Sequence, residues 1–475
     1  MSPMKMLSLM ICFLACIFFG PFPFADDEDS GDSTREELLA IIRDLEERLR
    51  ELERKFRILL DSGVGNGEEI AELNRKIDLL TRELEKQKLG EAADDGPPRS
   101  RYGLGPAASK VYGVHQGVSI GGYGEALLER FDSRQDDGTP SGAIDRFDFL
   151  RGVFYFGFKF NDRILFNSEV EFEHASTGES GEASMEFAYL DFRIQPAFNA
   201  RAGLLLAPVG FINELHEPPV FLGARRPDVD RVILPTTWRE NGFGAYGDFG
   251  PFTYRAYLLN GLRASGFTGS AGIRGGRQKG SKALVEDFAL TGRLDWSAGR
   301  GLVLGGSFWI GDSGQEEIST VTNTPYPDGK VTLWDLHGEW KGKGWKLRGV
   351  YSRIAIDDST EISIANGYNP ADPTTFDQLV GKRLTGWYAE AGYDLLTSRR
   401  TEQAVIPFLR YEDYNTQEDV AGPFSADPKN AIEIFTIGLV YQPILQVSLK
   451  ADFQNRDNAA GTATDQFNVA ISYLF

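Results

Sequence analysis

The sequence predicts an all-β fold: a 16-stranded antiparallel transmembrane β-barrel over residues 117–475, preceded by an N-terminal α-helical coiled coil over 34–89. Three observations carry that fold class. The 475 residues include 53 Gly beside 33 Phe, 17 Tyr and 7 Trp, a pairing suited to many short strands joined by tight turns. Mean hydropathy is -0.28, and no apolar run beyond Phe24 approaches the roughly 20 residues that a membrane-spanning helix needs. Near Gly117 the spacing of apolar residues changes from a period near three and a half to a period of two.

The elements follow in order along the chain. Lys5, the apolar run 6–19, the Gly20-Pro21 break and Ala25 ahead of Asp26-Asp27-Glu28-Asp29 have the parts of a secretory signal peptide, so residues 1–25 are expected to be removed on export. Both cysteines, Cys12 and Cys16, fall in that segment, which leaves the rest of the chain without a disulfide framework or a cysteine zinc site. Leu38, Ile42, Leu45, Leu49, Leu52, Phe56 and Leu59 form a heptad seam. The seam breaks at Gly63-Val64-Gly65-Asn66-Gly67 and resumes as Ile70, Leu73, Ile77, Leu80 and Leu84. So narrow a stripe must find partner helices, and self-association in the periplasm is the expectation. Residues 90–116, with Gly96-Pro97-Pro98 and little periodicity, read as a linker.

From Gly117 onwards apolar and polar residues alternate. At the C-terminus Phe467, Val469, Ile471, Tyr473 and Phe475 interleave with Asn468, Ala470, Ser472 and Leu474. A strand with lipid on one side and water on the other needs that division. The same holds for 164–172 and 333–340, which place Glu169, Glu171 and Glu173, and Asp335, His337 and Glu339, on the water-facing side. Connections alternate between short ones, at 161–162, 196–198, 248–251, 297–300, 342–343 and 443–444, and long polar ones. The long ones are 132–143, 176–182, 209–237, 263–283, 312–330, 355–383, 413–431 and 457–465. Short turns on one rim and long loops on the other mark a bacterial outer-membrane barrel.

The formal net charge of -19 would repel a phosphate backbone, so no nucleic-acid partner is expected. Ser119 sits in a G-x-S-x-G string, but that motif needs a strand, a sharp turn and a helix, and here a strand opens. The G-x-G-x-x-G string at 242–247 likewise lacks a following helix. His115, His174, His216 and His337 are far apart in sequence and show no helical zinc spacing. The expectation is therefore a protein that is not an enzyme and has no cofactor and no metal. A hydrolase using Ser119 is the rival from that class.

The third long connection, 209–237, is too apolar for a free surface loop and too charged for lipid. Folded into the barrel, it would form a constriction carrying Arg225, Arg226, Arg231, Asp228 and Asp230. Arg225 and Arg226 are flanked by Ala224 and Pro227, so they could offer donors to a passing carboxylate or phosphate while Arg231 pairs with Asp228 or Asp230. The alternatives are that these arginines brace the loop against Glu169 and Glu171, or that the loop stabilises a subunit contact. Alternation places Arg151, Glu169, Glu171, Arg201, Arg255, Arg293, Asp335, His337 and Arg348 on faces lining the pore.

In this region Ala207-Pro208-Val209-Gly210-Phe211, Pro218-Pro219-Val220-Phe221 and the run from Leu234-Pro235-Thr236-Thr237-Trp238 through Arg239-Glu240-Asn241-Gly242-Phe243-Gly244 resemble the phosphate-selective porin O/P family of Gram-negative outer membranes. The resemblance covers roughly 117–475. It implies a homotrimer of 16-stranded barrels in outer-membrane lipid, each with an inward third loop, and passive diffusion of small hydrophilic solutes, including anions such as phosphate or carboxylates. Phosphate-specific members line the pore with arginines and a lysine cluster. The acidic chain, with Glu169, Glu171, Glu173, Asp335 and Glu339 on lumen faces, departs from that pattern. A barrel that merely anchors a periplasmic coiled coil is the structural alternative.

Overall fold

The computed structural model describes residues 100–475 except 177, 179, 180 and 400, together with Glu47, Arg48, Arg50, Glu51, Arg54, Arg75 and Lys76, which are helical. The expected signal peptide, 1–25, and the residues of the expected heptad seam lie outside the described residues. Among the described residues sixteen strands form one closed antiparallel barrel. They are β1 (Gly117–Phe131), β2 (Arg146–Lys159), β3 (Ile164–Glu173), β4 (Ala183–Gln195), β5 (Phe198–Leu206), β6 (Arg239–Phe249), β7 (Phe252–Asn260) and β8 (Phe288–Gly299). The second half comprises β9 (Leu302–Gly311), β10 (Val331–Gly342), β11 (Trp345–Ile356), β12 (Arg383–Tyr393), β13 (Ala404–Asp419), β14 (Ala431–Ile444), β15 (Val447–Asn458) and β16 (Gln466–Leu474).

Each strand pairs with its neighbours in sequence, and β16 closes on β1 with Tyr123 opposite Leu474 and Leu128 opposite Val469. The last residue takes part: Phe475 and Gly122 exchange two backbone hydrogen bonds of 2.9 Å. The ring of Phe475 lies over Gly122, and that of Tyr473 over Gly124, where a Cβ would collide with them. Glycine on β1 is what lets the closing strand's aromatics lie flat on the wall.

The period of two is visible as two faces. In β16 Phe467 is 43% exposed and Ile471 46%, while Asn468 and Ser472 are 0% exposed. Phe154, Phe156 and Phe158 of β2, Leu290 and Leu294 of β8, and Ile437 and Leu439 of β14 continue the exposed apolar surface around the wall. With every strand paired, no edge is left, and such an exterior is the lipid-facing surface of a membrane-spanning barrel.

The rims differ as the sequence predicts, with two changes. Residues 394–403, between β12 and β13, form a seventh short-rim connection longer than the other six, and β13 runs to Asp419, so the loop expected from residue 413 begins at 420. The extension 415–419 is polar on both faces, so hydropathy does not mark it. It is held by its neighbours: Gln417 donates to the Leu379 carbonyl at 2.5 Å and accepts from the Asp427 backbone at 2.7 Å.

Two irregular segments occupy the interior. One is the third long loop, 207–238. The other is 101–116, the end of the stretch that reads as a linker. Leu104, Ala107, Ala108, Val111, Tyr112 and Val114 of that stretch are buried. Polar wall groups meet its backbone and side chains. Asn167 donates to the Ala108 carbonyl (3.0 Å), Lys159 to that of Val114 (3.2 Å), and the Tyr112 hydroxyl to Asp191 (2.7 Å).

Candidate functional site

An irregular segment inside a barrel must find partners for its peptide groups, and here titratable side chains of the wall supply several of them. Lys450 of β15 donates to three carbonyls of the loop: Pro218 at 2.7 Å, Phe221 at 2.7 Å and Gly223 at 2.9 Å. Asp452 accepts from the Ala224 N–H (2.6 Å), Glu412 from Val229 (3.1 Å) and Asp335 from Gly210 (3.0 Å). At the neck, the Asn213 amide donates to the Ala207 and Trp238 carbonyls and accepts from the Trp238 N–H, so one side chain clasps both ends. Apolar residues of the same loop, among them Val209, Phe211, Val229, Ile233 and Leu234, join one buried cluster with wall residues.

The site residues expected from the sequence are held within this framework. Arg225 pairs with Glu129 of β1. Arg226 donates to the His216 carbonyl at 3.2 Å. Arg231 pairs with Asp228 at 2.9 Å, and Asp228 also takes Arg456 of β15 at 2.7 Å. Asp230 is fully buried, and neither of its carboxylate oxygens has a hydrogen bond. Burial pushes its carboxyl up to about 7.

The wall residues face inward and are engaged. Arg151 holds Glu171 at 3.0 Å, and Glu169 meets His216 at 3.0 Å. Arg201 binds Asp191 at 2.9 Å and stacks 4.0 Å from the Tyr246 ring centre. Arg255 and Arg293 share Asp295, at 3.2 and 2.7 Å, and His337 bridges Asp295 at 2.8 Å and Asp335 at 2.6 Å. Arg348 pairs with Glu339 at 2.6 Å and sits 4.8 Å over the Phe211 ring. Ser119 lies within β1, which continues to Phe131, and the 242–247 glycines lie within β6, so neither motif has the helix it requires.

Two further sets of residues bear on the loop. Glu217 accepts from the Ala107 and Ala108 N–H groups at 3.1 and 2.9 Å, tying the loop to segment 101–116. Burial raises its carboxyl to about 7 against those two hydrogen bonds. The fourth long loop reaches the end of the third. Arg274 donates to the Thr236 carbonyl at 2.7 Å, and Arg277 to those of Pro235 and Thr237 at 2.7 and 2.8 Å.

Where the two loops meet the wall there is a polar cavity of about 80 Å³, room for a small solute or a few waters. Arg151, Arg226, Arg239, Arg274, Arg277 and Lys279 line it, against Glu171, Glu173, Glu182 and Glu186. Burial, then the charges of Arg277, Arg231 and Arg226, press Arg274 down to about 9, still cationic at neutral pH. Burial and Arg239 bring Arg277 to about 10. Crowded cations of this kind are relieved by an anion. Arg226 is the one cavity cation that the third loop itself contributes. A signal for the fourth loop's share is present in the sequence, where Arg263, Arg274, Arg277, Lys279 and Lys282 run without a carboxylate until Glu286.

No family model matches the chain. An uncharacterized protein of Aquifex aeolicus (strain VF5) is 39% identical over 378 residues, 78% of this chain and 83% of that one. Among solved structures, the outer membrane channel DcaP of Acinetobacter baumannii is 12% identical with a TM-score of 0.48, over 75% of this chain and 97% of that one. An anion-selective porin from Comamonas acidovorans is 11% identical with a TM-score of 0.45, over 76% and 100%.

Proposed function

For this chain, which belongs to the same family as the Aquifex aeolicus protein, we propose the function of an outer-membrane channel that passes small hydrophilic solutes by diffusion and favours anions. The observation that carries the reading is the loop-side cavity, where six cationic side chains meet four carboxylates in a chain of formal net charge -19. Net charge does not set the local potential, because charges farther off than roughly 10 Å are screened at 0.1 M salt. Arginine forks facing a small polar space suit carboxylates and phosphate. A place in the phosphate-selective porin O/P group belongs to the same proposal and rests on the segments 207–211, 218–221 and 234–244. So do a homotrimer and a periplasmic coiled coil that strengthens it. Asp at both Leu45 and Leu52 should then lower the oligomer's thermal resistance, and unchanged resistance would separate the coil from assembly.

Segment 101–116 and loop 207–238, joined through Glu217, together set the bore in this proposal. The same filling favours a second reading, a barrel that anchors the coiled coil and conducts nothing. Single-channel recording of the purified protein in a planar bilayer separates the two. The channel reading expects discrete conductance steps that a multivalent anion such as phosphate attenuates, whereas an anchor gives none.

A further inference from the structure

We propose that Glu169, Glu186 and His216 form a binding site for one divalent transition-metal cation, with Zn2+ as the best chemical fit, between the barrel wall and the third loop. The donor atoms of the three side chains all lie within 4.8 Å of one another. His216 Nε2 is 3.0 Å from one Glu169 oxygen and 3.9 Å from Oε2 of Glu186. A metal holding one nitrogen and two oxygens at about 2.0–2.2 Å needs donors roughly 3–3.5 Å apart, so small side-chain movements close the set.

Three independent features prepare these atoms. His216 Nδ1 lies 2.9 Å from the Asn213 carbonyl, to which it donates, so in its neutral form the ring turns an Nε2 lone pair towards the two carboxylates. A lone pair facing carboxylate oxygens is repulsive unless a cation or a proton lies between them. Oε2 of Glu186 is buried and has no hydrogen-bond partner, and the residue is 2% exposed. Glu169 is 0% exposed and has His216 and the Tyr155 hydroxyl as its side-chain partners, with no arginine or lysine ion pair among the described residues.

The backbone is built to the same end. In the β3–β4 ladder Glu169 pairs with Phe187 and Val170 with Met185, so Glu186 is the extra residue of a bulge. A bulge re-aims a side chain, and here it brings a second carboxylate to the one on the adjacent strand. Arg239 sits on the other oxygen of Glu186 at 2.7 Å, and Arg226 on the backbone carbonyl of His216, so neither occupies the donor atoms. Glu186 also lines the loop-side cavity, which provides an approach for the ion and room for a water as fourth ligand. Imidazole with two carboxylates suits Zn2+, whereas Ca2+ needs six or more oxygens. A bound ion would staple the third loop to β3 and β4.

The test uses the full-length protein in detergent, stripped with a chelator and titrated calorimetrically with Zn2+ at neutral pH. Co2+ serves as a spectroscopic probe of a nitrogen- and oxygen-bound site. The expected result is one saturable Zn2+ site per chain and a higher melting temperature, with no comparable binding of Ca2+. Glu186→Gln and His216→Gln should each weaken Zn2+ binding at least about tenfold while heat-modifiable gel migration reports an intact barrel. Should His216→Gln fail to fold, Glu186→Gln decides. Absence of saturable binding by the wild type, leaving a proton as the occupant of the gap, overturns the proposal. Binding of wild-type strength in Glu186→Gln overturns it equally. The readout is independent of conductance, so the channel reading and the metal site can fail separately.

Discussion

The outer and inner faces of this barrel are built on opposite principles. On the outer face, Ile437 and its neighbours meet lipid and need nothing from distant parts of the chain, because the backbone of each strand is satisfied by the strand beside it. On the inner face wall pairs such as Arg348 with Glu339 are near in sequence, but the irregular segments are held by wall residues far away in it. Glu217 meets Ala107 across 110 positions, and Lys450 meets Pro218 across 232. The outside is thus a local code, whereas the seating of the inner segments rests on long-range polar contacts. Substitutions on the two faces should fail in different ways.

The largest effect is expected inside. Lys450→Met keeps the side chain's bulk but leaves three buried carbonyls without their donor, at roughly 1–3 kcal/mol for each acceptor. The third loop should detach while the barrel stays closed. Protease cleavage within 207–238, with heat-resistant gel migration of the uncut barrel preserved, would show this. A loop as resistant as the wild type's would mean that the apolar cluster alone holds it.

An outer-face change should act on the barrel itself. Ile437→Arg puts a charge on an exposed lipid-facing position of β14 and should cost about 2–4 kcal/mol near the bilayer midplane. Urea titration of refolding into lipid vesicles measures it. The loop's protease sensitivity should be unchanged in whatever fraction folds. Loop release in the folded fraction would break the separation of the two faces.

The smallest effect is a pH dependence confined to the interior. Burial raises Asp230 from 3.8 to about 7. A raised carboxyl binds its proton more tightly in the folded state. Its contribution is therefore complete below about pH 4, declines as pH rises through about 7, and is flat beyond. Loop seating should weaken over that window, and Asp230→Asn, neutral at every pH, should remove that part of the slope. Melting curves recorded from pH 4 to 8.5 for both proteins test this, and identical slopes would place the titration elsewhere.

Legibility in the sequence follows the same division. The wall is readable because a period of two is a local property: Phe467 to Tyr473 and Trp334 to Glu339 display it without any knowledge of partners. It fails at 415–419, where the strand is polar on both faces and is held by Gln417 through neighbouring loops. Inside, the sequence indicates that 209–237 is unsuited to water or lipid, but not which wall group holds which peptide. Arg225 has no acid beside it in sequence and nevertheless pairs with Glu129, which arrives from β1. Segment 101–116 reads as a linker because its burial depends on Asn167, Asp191 and Lys159, each supplied by a strand further along the chain. The cavity's basic character was accessible in part, through the acid-free run in the fourth loop, but only once that run is weighed apart from the charge of the whole chain.

In the proposed channel a local cationic lining, and not the acidic whole, governs what passes. The reversal potential in a potassium chloride gradient across a planar bilayer addresses it most directly, for the wild type and for the double variant Arg274→Ala with Arg277→Ala. The account predicts anion preference in the wild type and a shift towards cations in the variant, with the barrel's gel migration intact. A cation-selective wild type, or a selectivity indifferent to both arginines, would contradict it.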